Sequence, residues 1–238
     1  MDSANNVMFH ELLRVLNLYR NLPHVEIEMR MGWKHQTGQP FDTNIGEAYL
    51  SHIMSNLNGS PVLDIVADTV THVYTHQNTR IITDSHDNVI SSHKKRKIEM
   101  IDFLVPGTPF DIRLSICVEQ PVPMKSKPID SVFVRKRVRT AYRYKLWSYE
   151  ATHCTAQTPF NKYTTDIESY EMELELDIVN SAGSSSTYLA NSTVMKIWDL
   201  IRLNKCEKID LKSISLCDKK VYTNHTKLKP RCLTPTTL

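Results

Sequence analysis

Acidic side chains recur at every second position in two short stretches of the chain. In Tyr170-Glu171-Met172-Glu173-Leu174-Glu175-Leu176 three glutamates alternate with apolar residues. In Val25-Glu26-Ile27-Glu28-Met29-Arg30-Met31 two glutamates and an arginine do the same. A strand has a side-chain period of two, so Glu171, Glu173 and Glu175 share one face, as do Glu26, Glu28 and Arg30. Strands far apart in sequence can be neighbours in a sheet, and these two would bring five carboxylates into one volume. Like charges that close cannot all stay ionised unless cations sit among them. Either the two faces point to water or they line a metal site. A third stretch, Val134-Arg135-Lys136-Arg137-Val138-Arg139, aligns Arg135, Arg137 and Arg139. Guanidinium forks match phosphate oxygens, and three on one strand form a comb of polyphosphate length. A solvated strand face or a localisation-type cluster is the plainer account of these arginines, and a better one for His93-Lys94-Lys95-Arg96-Lys97.

The elements that must position these residues are mostly strands. The apolar spacing predicts helices over about 5–20, 45–58 and 188–203. Between the second and third helices the texture is short alternating segments broken by turn residues. Strands are predicted near 62–67, 70–75, 78–83, 94–103, 110–119, 131–138, 141–153 and 170–179, and a short one near 209–216. Gly38 to Asp42 reads as a turn, Gln120 to Asp130 as a loop and Ser181 to Ser186 as a connector. So many short strands suggest a sandwich or a barrel. In a barrel, Val25, Ile27, Met172 and Leu174 would face outward under helices, leaving a charged interior able to enclose one small ligand.

With 238 residues, 41% hydrophobic and 23% charged, the chain reads as one soluble globular domain over 1–238, with its core at about 24–179 and a C-terminal helix and tail from 187. A net charge of +3 is too mild to imply nucleic acid by itself. No apolar run suggests a signal peptide or a membrane span, so no membrane is expected. Five cysteines, none in Cys-x-x-Cys spacing, favour free thiols over a structural zinc, and Cys117 and Cys154 read as strand-packing residues. His10-Glu11 is followed by Arg14 where a zinc-protease motif needs histidine. Trp33, Tyr142, Tyr144, Trp147 and Tyr149 read as core or rim rather than base-stacking residues.

The order Glu-x-Glu, basic strands, Arg-x-Arg-x-Arg and Glu-x-Glu-x-Glu resembles the triphosphate tunnel metalloenzymes. It is similar in particular to the RNA 5′-triphosphatases of fungal, protozoan and large-DNA-virus mRNA capping systems. The segment Phe110 to Pro123, ending Glu119-Gln-Pro-Val-Pro123, narrows the likeness to that branch. The resemblance implies an α+β fold: a closed antiparallel eight-stranded β-barrel, the triphosphate tunnel, with flanking helices. It implies a divalent metal, Mg or Mn, held by Glu26, Glu28, Glu171 and Glu175. Glu173 would complete the acidic end. Arg80, Lys95, Arg113, Arg135, Arg137 and Arg139 would contact phosphates, and Glu119 would orient or deprotonate the attacking water. Glu150 and Thr152 match positions that the fungal enzymes need for function. The fungal pattern has lysine where Arg113 and Arg137 stand, and aspartate where Glu150 stands. The implied reaction releases the γ-phosphate of triphosphate-ended RNA, with manganese-supported hydrolysis of nucleoside triphosphates as a side activity. The implied partners are that RNA, a guanylyltransferase and a second copy of the chain. The implied location is the nucleus for a cellular enzyme, or the cytoplasm or virion for a viral one. A small-substrate tunnel phosphatase acting on nucleoside, inorganic or thiamine triphosphate is the alternative within the fold. A non-enzymatic polyanion-binding module is the alternative outside it.

Overall fold

A computed structural model describes residues 6–35, 37–160, 163–203 and 213–222. In chain order the elements are α1 (Val7–Tyr19), β1 (Val25–Gly32), α2 (Glu47–Asn58), β2 (Asp64–His76), β3 (Thr79–Thr83), β4 (Val89–Leu104), β5 (Asp111–Pro121), β6 (Val132–Tyr144), β7 (Trp147–Phe160), β8 (Tyr163–Leu176), α3 (Ser186–Arg202) and β9 (Ser215–Val221). Asn6 starts α1 by accepting the Met8 N–H at 2.8 Å, and Ser185 starts α3 by accepting from Tyr188 at 3.1 Å.

All strand pairings are antiparallel, in the order β3-β2-β6-β7-β8-β1-β5-β4, and β4 pairs back onto β3 to close an eight-stranded barrel. The two acidic strands are direct neighbours, with Glu28 opposite Glu175 and Arg30 opposite Glu173. Their pairing is short, and the loop after β1 fills the gap beyond it: Ile45 donates its N–H to Tyr170 at 2.8 Å, and Asn44 accepts from the Tyr170 N–H at 3.0 Å. Because β3 is only five residues long, it covers just the first part of β4; further along, Glu99 to Leu104 pair instead with β9.

The main apolar core lies outside the barrel. Ile27, Met29 and Met31 of β1, Ile112, Leu114 and Ile116 of β5, and Met172 and Leu174 of β8 form one buried cluster with Leu12, Val15 and Leu16 of α1 and Val194, Ile197 and Trp198 of α3. Trp147 joins it and donates its indole N–H to Thr193 at 2.9 Å. Alternation then turns every second side chain of these strands into the bore.

Several sequence-based boundaries need correction. Segments 62–67 and 70–75 are one strand, β2, with a register irregularity between Ile65 and Ala67; Ala67-Asp68 are weak strand formers and read as a break. β6 continues to Tyr144 and turns at Lys145, whose φ is +53°, so the hairpin falls later than predicted, with no Gly, Asn or Pro to mark it. The predicted strand near 209–216 falls partly outside the described residues; the strand found there is β9. Cys117 and Cys154, expected as strand-packing residues, are both buried, on the bore side of their strands, Cys117 lining its cavity and Cys154 sitting opposite Arg137.

Gly32 ends β1 where the following loop crosses it. A Cβ there would lie 2.2 Å from the Asp42 carbonyl oxygen and 2.3 Å from the Phe41 ring. Replacing it by alanine is expected to lower stability by about 1–3 kcal/mol, the usual cost of overpacking, seen as a fall in thermal midpoint.

Candidate active site

The bore contains two abutting cavities of about 340 and 480 Å³, and Glu28, Arg30, Arg80, Lys95 and Arg135 line both. Glu26, Glu119, Glu173, Glu175, Arg137 and Arg139 line the first, while Glu171 and Arg113 line the second. Glu150 and Thr152 sit on β7 behind Arg139. All the residues expected from sequence to form the site therefore line the tunnel or directly support a residue that does.

The arginines of β6 differ in what holds them. Arg139 donates Nε to Thr152 at 2.9 Å, donates to Glu173 at 3.3 Å and contacts the Glu150 carboxylate closely. Arg135 reaches Glu171 at 3.3 Å. Arg137 has only the Thr71 hydroxyl, at 3.3 Å, and no carboxylate among the described residues. Burial and the charges of Arg139, Arg135 and Arg80 push its guanidinium down to about 10. A buried cation left without a counter-ion at the centre of the comb is what an anion-binding wall requires.

The acidic wall is crowded. Burial, with Glu150, Glu26, Glu28 and Glu173 around it, pushes Glu175 up to about 8, and its carboxylate has no hydrogen-bond partner among the described residues. Burial also raises Glu150 despite the opposing charge of Arg139. The Glu171 Oε2 atom is buried and has no partner among the described residues. Glu26 meets Lys95 at 2.8 Å, and Glu28 is gripped by Arg30 at 3.0 and 3.1 Å, which also lies 2.9 Å from Glu173. As they stand, no three acidic, histidine or cysteine groups among the described residues meet at metal-coordinating spacing. The donor set nonetheless fits a hard divalent cation: carboxylate oxygens only, with an orphaned oxygen on Glu171 and repulsion around Glu175 that a cation would relieve.

Glu119 lies 3.1 Å from Lys95, 3.4 Å from His93 and 4.0 Å from Arg80. Arg113 gives its fork to Asp102 at 2.7 and 2.9 Å and stacks over Phe41, so it stands at the far end of the bore with its donors engaged. Among the bore-lining residues not assigned a role from sequence are Arg30 and His93. Arg30 shares the face of Glu26 and Glu28, and its spacing could have marked it. His93 was hidden inside a basic run whose alternate residues face opposite sides of β4. Tyr142, Trp147 and Tyr149 are core, as expected.

A closed antiparallel barrel, apolar outside under helices and lined by facing carboxylate and guanidinium rows, has a triphosphate-tunnel fold. Residues 6–203 match the family described as mRNA capping enzyme, beta chain, and the chain belongs to that family. An mRNA-capping enzyme subunit beta from Cryptococcus neoformans var. neoformans serotype D (strain JEC21 / ATCC MYA-565) is 26% identical over 132 residues, which is 54% of this chain and 33% of that relative. The match thus spans about a third of the relative's length. Two structures of S. pombe Pct1 RNA triphosphatase share the fold at 19% identity and cover 87% of this chain. The one in complex with the Spt5 CTD gives a TM-score of 0.65 over 95% of its chain, and the other gives 0.64 over 94%.

Two outcomes follow from the charge arrangement. Arg137→Gln is expected to stabilise the ligand-free protein by roughly 1–3 kcal/mol while cancelling the gain in thermal midpoint on adding inorganic triphosphate. Glu175 binds its proton more tightly folded than unfolded, so its contribution to stability is fully present below 4.5 and is lost as pH rises through about 8. The ligand-free thermal midpoint should therefore fall across that window, and Glu175→Gln should flatten the fall.

Proposed function

We propose that the protein is a metal-dependent RNA 5′-triphosphatase. It removes the γ-phosphate from the 5′ end of nascent mRNA and leaves a diphosphate end, the first step of cap formation. The observation that carries this reading is Arg137, a buried cation between two other arginines with no acid among the described residues to neutralise it. A triphosphate end is highly anionic, and such a wall offers it charge already desolvated and in place.

In this reading the comb of Arg135, Arg137 and Arg139 grips the phosphate oxygens, and charge that spreads over the transferring phosphoryl group is met by donors that need not reorganise. Thr152 and Glu150 hold Arg139 at its station. Arg30 spans Glu28 and Glu173 and keeps the acidic wall from flying apart. Glu119, on the opposite strand pair, orients the water for in-line attack, with Lys95 fixing its carboxylate. Glu26, Glu28, Glu171 and Glu175 would hold the divalent cation, Mg or Mn, which supplies Lewis-acid charge to the phosphate oxygens. The protein works within the capping apparatus, and a guanylyltransferase that uses the diphosphate end is the partner this product calls for.

The deciding measurement is γ-phosphate release from triphosphate-ended RNA and from ATP, with magnesium, manganese or chelator. Chelator and Glu28→Ala should each lower turnover by at least ~100-fold. Hydrolysis that survives both would overturn the reading.

A further inference from the structure

His93 sits on β4 with its side chain in the bore, more than nine-tenths buried, and its Nε2 atom has no hydrogen-bond partner among the described residues. Around it stand Arg80 from β3, Lys95 from its own strand, Arg137 from β6 and Glu119 from β5. The Glu119 carboxylate is 3.4 Å away but is already engaged by Lys95 at 3.1 Å. Burial and then the three cations push the imidazole down to about 4, so it is neutral in the empty bore near pH 7.

Cations that suppress a neighbour's proton stop doing so once an anion neutralises them. We propose that His93 takes up a proton when a polyphosphate fills the bore and then donates from Nε2 to a phosphate oxygen, as a further substrate contact beside the arginine comb. The same histidine makes the grip on substrate pH-dependent: tight where the filled site holds the proton, weaker where it does not. This rests on the proposed function only in taking polyphosphate as the ligand of the bore.

The test uses the metal-free protein with chelator and inorganic triphosphate, so that binding is read without turnover. Among ten histidines, the His93 imidazole is assigned by NMR against His93→Gln. Its titration midpoint should rise by at least ~2 pH units on saturation with triphosphate. Calorimetry in buffers of different ionisation enthalpy should show more proton uptake for the wild type than for His93→Gln. The affinity of that variant should fall by about tenfold at acidic pH and by less than about twofold near pH 8.5. A merely structural His93 would weaken binding equally at every pH with an unmoved midpoint, and that result would overturn the proposal. Triphosphate binding with the predicted protonation but no RNA hydrolysis would sink the enzymatic reading and leave this one standing. Failure of triphosphate to bind the metal-free protein would overturn this proposal and leave the metal-dependent reading to the turnover measurement.

Discussion

Once helices cover one face of a strand, the period of two leaves no choice about the other face. α1 and α3 press on the outward side of β1, β5 and β8, and Ile27, Leu114 and Leu174 supply the apolar surface they need. Glu26, Glu28, Glu173 and Glu175 are then committed to the interior of a closed barrel. Burying that much charge is tolerable only if it is paired or waits for a ligand. Everything distinctive about the molecule follows from that parity.

Within the bore the two kinds of charge are sorted rather than mixed. Most cations are answered by a carboxylate: Lys95 by Glu26, Arg30 by Glu28, Arg113 by Asp102 and Arg139 by Glu150 and Glu173. Among the described residues Arg137 on one wall has no carboxylate partner, and on another Glu175 has no hydrogen-bond partner and Glu171 an unpartnered oxygen. On the proposed function an anion would complete the first and a cation the second; charge held unpaired in this way is a poor store of folding energy and the mark of a functional interior.

The alternation of Glu26 with Glu28 and of Glu171 with Glu173 and Glu175 carried the strands and the shared face of each acidic row; that the rows turn inward came only from setting them beside the arginine strand in a barrel. Their adjacency rested on the barrel, whose pairing spans most of the chain. What escaped sequence reasoning has local causes. The turn at Lys145 carries no turn-forming residue, so the end of β6 was misplaced. The pairing of Arg113, expected as a phosphate contact, with Asp102 was not legible, because Asp102 lies on the neighbouring strand and nothing in either stretch signals their meeting. His93 was missed because a basic run looks alike whether its residues face water or a cavity; only the register of β4 against β5, which sets His93 opposite Pro121 and Lys95 opposite Glu119, separates the two.

The shortness of β3 bears on how the chain acquires its shape during synthesis. The stretch of β4 that β3 cannot reach is covered by β9, which Lys219 ties to Glu11 and Asp218 ties to Lys34. That seam joins residues near the start of the chain to residues near 220, so it stays open on the ribosome until the last described strand has emerged. Until then Glu99 to Leu104 present an unpaired strand edge, of the kind that can template pairing with another chain.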